Sequence, residues 1–441
     1  MIFEMMQRAY LAQSSDGLGK SLRSLHGAML SGRPQELELL QSQGLALPDL
    51  DDAIARLSLI DAALAGTCQD QPAYFPRDAL TAQLQSALQR YAIDRELTTA
   101  TARASGAVGL IHPVTDVNLL DPAAPADGLF GAMSQSDLRW VACWVAKALT
   151  TFDNPPLFPD HPAPPCRIAT DARIFLVGDW GSGVSRARKI ADRIRSMIDE
   201  EPIRDQHVVH LGDVYYSGWP EEYDDHFFPN WPVAPGKERT CGSWSLNSNH
   251  DMFSQGSGYF GHLLKDARFA RQGGSSHFSL ENDDWQILGL DSAFLDGTLA
   301  GSQFDWVERR ARELPGRKLA LMTHHQPFSA FEDQYLELWR LTARNAVTAW
   351  FWGHEHRFAI YEPRPELPYG RLVGHGGVPV WRQPEDEALP AGVRYVGTRG
   401  FRSGLEQFAL FGFAVLDLDG PRMRARYIDE HGDVEYEEVI E

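Results

Sequence analysis

The chain has 441 residues, 43% of them hydrophobic, which is enough to bury at least one large core and to form two domains. Its 60 Asp and Glu residues outnumber 41 Lys and Arg residues, and the formal net charge is −19. A chain of this charge repels polyanions at long range, so the composition argues against a nucleic-acid partner. The four cysteines form no CxxC pair, which predicts free thiols in a reducing compartment.

No segment of the sequence predicts membrane insertion or export. The longest apolar run, residues 408–416, is much shorter than the ~20 residues that a membrane-spanning helix needs. The first residues, MIFEMMQRAYLAQSSDG, include Glu4 and have no sustained apolar core, unlike a secretory signal. We therefore expect a cytoplasmic protein without membrane contact.

Residues 1–150 are predicted to form a mainly helical domain. Segments such as DLDDAIARLSLIDAALAG and PRDALTAQLQSALQRYAI place apolar residues three and four positions apart. Its role is not indicated by the sequence, and a partner or a second copy of the chain could bind there. Residues 151–166 are predicted to be a stiff linker, because six of the eleven residues in PPLFPDHPAPP (155–165) are proline.

Residues 167–441 have the alternating strands and helices of a second, α/β domain. The β-rich run 172–179, the amphipathic segment 185–200 and the β-rich run 206–213 form a predicted βαβ unit. Parallel strands end at the same edge of a sheet, so Asp179 and Asp213 should lie side by side. Two adjacent carboxylates repel each other unless a cation or a proton lies between them. This pair is the first indication of a metal site.

Three further apolar runs end in residue types that bind metals. Residues 243–251 end in Asn249, His250 and Asp251, residues 319–327 contain His324 and His325, and residues 345–356 end in Gly-His-Glu-His. Imidazole, carboxylate and amide oxygen donors suit iron, manganese or zinc. Five successive strand ends of this kind indicate one shared metal site.

These motifs resemble, in order, those of the calcineurin-like metallophosphoesterases, and most closely those of the purple acid phosphatase branch. They read GDWG (178–181), GDVYY (212–216), SNHD (248–251), LMTHH (321–325) and GHEH (353–356). The resemblance covers about residues 170–420 and implies an α/β/β/α sandwich, here preceded by the helical domain. It also implies hydrolysis of phosphate monoesters or diesters by a metal-bound hydroxide.

The resemblance implies a site for two metal ions. Its ligands would be Asp179, Tyr216 and His356 for the first metal, Asn249, His324 and His354 for the second, and Asp213 as the bridge. Most family members have a histidine where this chain has Gly181, and the purple branch supplies a tyrosine instead. Tyr216 has the matching position, and Fe(III) is expected there with Fe(II), Zn(II) or Mn(II) beside it.

Several assignments have alternatives. Tyr215 could replace Tyr216 as ligand, although its side chain is expected to point the other way, and His325 could replace His324.

His250 is expected to protonate the leaving oxygen or steady the phosphate, with Asp251 orienting it. Ser248 stands where the family has glycine, so a positive φ there would be strained. Trp180 and Trp219 could line the cleft or simply pack, and His375 could approach the site or belong to a turn.

The expected substrate is a small phosphate ester. Two alternative functions remain open. One is a nuclease or phosphoprotein phosphatase on the same core. The other is a metal-dependent scaffold whose N-terminal domain binds a partner.

Overall fold

The computed structural model describes residues 157–332, 335–378, 380, 388–403 and 406–441. The predicted helical domain, residues 1–150, and the first part of the predicted linker lie outside the described residues. The compact unit described here comprises Pro155–Gly400 and Phe408–Glu441. Within the described residues, no helix is long and apolar enough to cross a membrane.

The strands are β1 Cys166–Arg167, β2 Arg173–Val177, β3 Gln206–His210, β4 Cys241–Ser245, β5 Phe278–Glu281, β6 Trp285–Gly289, β7 Lys318–Thr323, β8 Val347–Trp352, β9 Phe358–Tyr361, β10 Tyr369–Val373, β11 Val393–Val396, β12 Gly400–Ser403, β13 Glu406–Ala409, β14 Gly412–Asp419, β15 Arg422–Asp429 and β16 Val434–Ile440. The α-helices are α1 Ser185–Glu200, α2 Pro220–Glu222, α3 Asn249–Met252, α4 Ser257–Gly261, α5 Gln303–Glu313 and α6 Leu336–Arg344. A π-helical turn, Tyr223–Phe227, follows α2, and two 3-10 turns, Leu263–Lys265 and Ala267–Gln272, follow α4.

The strands form two large sheets and one two-stranded ladder, β12–β13. The first sheet has the order β1-β5-β6-β7-β8-β10-β9-β11, and the second has the order β16-β15-β14-β2-β3-β4. Strands β2, β3 and β4 are parallel neighbours, as are β6, β7 and β8. Each sheet therefore presents a row of strand carboxyl ends at one edge, where the connecting loops can carry functional residues.

Three hydrophobic clusters show that the two sheets pack face to face between helices. Ile174 and Leu176 of β2 pack in the same cluster as Ile287 and Met322 of the first sheet. The intervening residue Phe175 points to the other face, as strand alternation requires, and there it packs with helix α1. On the outer face of the first sheet, side chains of α5 and α6 pack on β6 and β7. The α/β/β/α fold predicted from the sequence is confirmed.

The C-terminal strands close the second sheet. β14 and β15 pair antiparallel around a turn at Gly420, and an Asp-Gly pair suits such a hairpin turn. Among the strands of the described residues, β16 pairs only with β15 and lies at the sheet edge, where its glutamates are suited to block pairing with another chain.

Candidate metal centre

Two buried carboxylates lie side by side beyond the carboxyl ends of β2 and β3. Asp179 and Asp213 are both fully buried, and the Asp179 backbone N–H donates to the Gly212 carbonyl over 3.0 Å. The Tyr215 hydroxyl donates to Asp213 Oδ2 over 2.6 Å and lies 3.4 Å from Asp179 Oδ1. The parallel pairing of β2 with β3 brings the two carboxylates together, as the sequence predicts.

The two carboxylates have opposite pKa shifts. Burial, and then the charge of Asp213, raise the pKa of Asp179 well above its usual value. Burial also acts to raise the pKa of Asp213, but His324, His250 and His356 outweigh it, and the net shift is well below the usual value. In the absence of a cation the pair therefore favours one negative charge, since two adjacent buried carboxylates disfavour double ionisation.

The first sheet supplies three imidazoles to the cluster, and Asn249 follows β4 of the second sheet. His324 Nε2 lies 2.7 Å from Asn249 Oδ1, and His354 Nδ1 lies 3.2 Å from the same oxygen. His324 Nε2 is also 3.4 Å from Asp213 Oδ1, and His356 Nε2 is 3.4 Å from Asp179 Oδ1. The structure thus brings together six of the seven predicted ligands from the edges of both sheets.

His324 is held in an orientation that suits a metal ligand. Its Nδ1 donates to the Leu211 carbonyl over 2.9 Å, so Nε2 carries the lone pair and faces the carboxylates. Burial lowers the pKa of His324 to about 4, which keeps the ring neutral at neutral pH. Burial, followed by the neighbouring His325 and His324, likewise lowers the pKa of His354 well below its usual value. Neutral imidazoles are the form that binds metals.

Four of the clustered residues have left-handed backbone conformations. The φ angles are +56° at Asp179, +77° at Asp213, +72° at His354 and +50° at His356. Asp and His adopt this region more readily than most residues but still at some cost, and such strain is concentrated at functional sites. At Gly353 close approach requires glycine, because an added Cβ would lie 2.6 Å from Asp179 Oδ2. The strand ends are thus shaped around the carboxylates.

Tyr215 has the contacts that the sequence analysis expected of Tyr216. Its hydroxyl lies 3.0 Å from His356 Nε2 in addition to its contacts with both carboxylates. Tyr216 is also buried, and its carbonyl accepts a hydrogen bond from His250 Nδ1 over 2.7 Å. The expected orientations assumed strand alternation, but β3 ends at His210 and residues 215–217 form a turn. The ligand role of Tyr216 stays a prediction, and Tyr215 is an alternative whose hydroxyl contacts both carboxylates.

The segment around Asn249 departs from two expectations. Asp251 accepts from the hydroxyls of Ser248 over 2.6 Å and Tyr223 over 2.7 Å, whereas His250 Nδ1 is oriented by the Tyr216 carbonyl. Asp251 is therefore placed to hold the segment. Ser248 has a φ of −139°, so the expected strain is absent there, and its Oγ caps α3 by accepting from the Asp251 N–H over 3.1 Å.

His325 lies beside the cluster but is held by a different set of residues. Its Nδ1 is 3.1 Å from Ser292 Oγ, and its Nε2 is 3.2 Å from Asp296 Oδ1. His324, His325 and His354 nevertheless offer nitrogen atoms within 4.8 Å of one another. The preference for His324 is supported by its additional contacts with Asn249 and Asp213.

His375 and Trp180 lie in other surroundings. His375 stacks on Phe358 with ring centroids 5.2 Å apart and lines a separate pocket with Arg357 and Glu435. Trp180 is buried, donates to the Ala187 carbonyl over 2.6 Å and packs edge-on against Trp231. Trp180 thus has the packing role, and Trp219 is partly buried.

The chemistry of the cluster fits metal ions. Asp179, Asp213 and His324 offer donor atoms within 4.8 Å of one another. Asp213 Oδ1 is buried and has no hydrogen-bond partner among the described residues. A buried carboxylate oxygen without a donor is costly unless a cation approaches it. Oxygen and imidazole donors together suit zinc, manganese or iron.

Comparison with known proteins gives one family match and several distant structures. Residues 172–358 match the family model described as calcineurin-like phosphoesterase. GAP50, described as the anchor in the inner membrane complex of Plasmodium, is 12% identical over 61% of this chain and 88% of that chain, with a TM-score of 0.45. A predicted phosphoesterase from Streptococcus pneumoniae is 12% identical over 60% of this chain and 95% of that chain, with a TM-score of 0.28.

Vps29 from Chaetomium thermophilum is 12% identical over 62% of this chain and 97% of that chain, with a TM-score of 0.27. A search of curated proteins found no significant match.

Proposed function

Because residues 172–358 carry a calcineurin-like phosphoesterase domain, we propose that the chain is a hydrolase of phosphate monoesters or diesters that uses two metal ions. One observation supports this proposal above the others. Asp213 lies between the proposed ligands of the first metal and those of the second. Its Oδ2 accepts a hydrogen bond from the Tyr215 hydroxyl, and its Oδ1 lacks a hydrogen-bond partner among the described residues. A carboxylate in that position is suited to bridge two cations.

Each residue of the cluster has a proposed role. Asp179, His356 and a tyrosine would hold one metal, Asn249, His324 and His354 the other, and Asp213 both. When bound, the metal pair supplies an activated water and neutralises the charge of a phosphate ester. As in the purple acid phosphatases, we propose Fe(III) at the tyrosine side with Fe(II), Zn(II) or Mn(II) beside it.

His250 is the proposed acid for the leaving group. Its Nδ1 donates to the Tyr216 carbonyl over 2.7 Å, which fixes the ring at the rim of the cluster. When water attacks phosphorus and the bond to the ester oxygen breaks, that oxygen gains negative charge and needs a proton. His250 Nε2 is the atom that would deliver it. The proposed substrate is a small phosphate ester, in keeping with the net charge of −19.

The test compares a chromogenic phosphate monoester with its diester on protein loaded with defined metals. We expect turnover that Asp213→Asn reduces by at least about 100-fold, because a bridging ligand is lost. Asp225→Asn is the matched control, since Asp225 is exposed on the turn after α2. Absence of turnover with every metal pair would contradict the proposal and favour the scaffold alternative.

A further inference from the structure

We infer that Glu222 is a positioning residue whose buried carboxylate holds the turn carrying Tyr215 and Tyr216 against the metal cluster. This inference rests on the proposed function only for its effect on metal binding. The resemblance assigned no role to Glu222, which follows Asp213 by nine residues and lies on the short helix α2.

The carboxylate accepts three backbone N–H groups of this turn. Its Oε1 accepts from the Tyr216 N–H, and its Oε2 accepts from Ser217 over 3.0 Å and from Trp219 over 2.9 Å. Glu222 is only 1% exposed. Buried N–H groups need acceptors, and an unsatisfied one costs about 1–3 kcal/mol. Glu222 therefore determines whether this turn can keep its shape.

The other N–H groups of the turn are bonded to backbone. Tyr215 donates to the Gly181 carbonyl over 2.9 Å, and Gly218 donates to the Val214 carbonyl over 3.0 Å. Backbone hydrogen bonds thus hold Tyr215 and Gly218, whereas the Glu222 side chain holds Tyr216, Ser217 and Trp219. The Tyr216 N–H belongs to the peptide group that joins the two tyrosines, so Glu222 acts directly on the backbone between them.

Residues of the turn contact two other parts of the candidate centre. The Tyr215 hydroxyl contacts Asp213, and the Tyr216 carbonyl orients His250. Tyr223, the residue after Glu222, donates to Asp251 Oδ1 over 2.7 Å and so joins α2 to the segment that carries Asn249. Displacement of the turn would move a tyrosine ligand and the proposed acid together.

The first experiment measures amide hydrogen exchange in the metal-free full chain. In Glu222→Gln, one carboxylate oxygen becomes an NH₂ group that cannot accept, so exchange of the peptide covering residues 215–219 should accelerate about 10- to 100-fold. Asp225→Asn is the matched control and should leave it unchanged. Unchanged exchange in Glu222→Gln would overturn the inference, whether or not the chain proves to be a phosphoesterase.

The second experiment separates positioning from general stability. We titrate Mn(II) alone by calorimetry and expect Glu222→Gln to weaken binding about 10-fold, with no change in Asp225→Asn. If Glu222 acts through a tyrosine, combining Glu222→Gln with the phenylalanine variant of that tyrosine should weaken binding no further than the tyrosine variant alone. Additive losses with both Tyr215→Phe and Tyr216→Phe would contradict the inference.

Hydrogen exchange and Mn(II) titration together distinguish an error about Glu222 from an error about the proposed metal site. If the wild-type chain binds no Mn(II), the proposed function loses its metal site while hydrogen exchange still tests Glu222. Should Glu222→Gln lack a cooperative thermal transition, Glu222→Asp replaces it, because it keeps the carboxyl group and withdraws it by one methylene. Glu222→Asp is expected to accelerate exchange in the same peptide, and unchanged exchange would again refute the inference.

Discussion

Tyr215 and Tyr216 are both buried beside the cluster, and each could serve as the phenolate ligand. The Tyr215 hydroxyl lies 2.6 Å from Asp213 Oδ2, and its burial among carboxylates raises its pKa well above the usual value. Only a strongly charged cation could then make it a phenolate. We expect Fe(III)-loaded protein to show a visible tyrosinate band that Tyr215→Phe abolishes and Tyr216→Phe retains. The reverse result would restore the ligand role of Tyr216, and a band that survives both variants would exclude both.

The buried His375 ring should make the stability of the protein depend on pH. It is buried against Phe358, and burial lowers its pKa to about 3 from 6.5. The folded state then binds fewer protons than the unfolded state between these values, so stability falls as pH drops below 6.5. Relative to His375→Asn, the wild-type unfolding free energy should fall by about 1.4 kcal/mol between pH 8 and pH 5.5. Urea unfolding measures it, and equal pH dependence in both proteins would contradict the buried neutral imidazole.

Helix α3 begins at Asn249, one of the predicted metal ligands. Ser248 caps the helix that begins at Asn249, and its hydroxyl also donates to the buried Asp251 carboxylate. Ser248→Ala removes both interactions and should lower the unfolding free energy by about 1–3 kcal/mol. Ser196→Ala, at an exposed position of α1, should change it by less than about 0.5 kcal/mol. Similar values for the two variants in chemical denaturation would refute the capping role.

The elements differ in how well the sequence predicts them. The amphipathic run 185–200 coincides with α1, and the β-rich run 206–213 contains β3, because periodicity and burial determine both. Side-chain directions in the turn after β3 are harder to predict, since strand alternation no longer holds once β3 ends at His210. The sequence does not indicate the positioning role of Glu222, because its partners are backbone N–H groups and its burial depends on tertiary packing.

The candidate centre takes its residues from both sheets. Asp179, Asp213 and Asn249 follow strands of the second sheet, whereas His324 and His354 follow strands of the first. The sequence could indicate that these strand ends share one site, but it did not assign the ligands to two sheets, because that division depends on the strand pairing. Composition alone indicates neither arrangement, because a net charge of −19 says nothing about where carboxylates meet.

A centre built from both sheets should couple metal binding to the stability of the entire sandwich. Metal that binds only the folded chain stabilises it by about 2.7 kcal/mol at a hundred times the dissociation constant. We expect chelation to lower the melting temperature of the wild-type protein by several degrees, and restored Zn(II) or Mn(II) to reverse the loss. Asp213→Asn should melt at the same temperature with and without chelator, because the proposed bridging carboxylate is gone, whereas Asp225→Asn should respond as the wild type does. If chelation leaves the melting temperature of the wild-type protein unchanged, no metal links the two sheets.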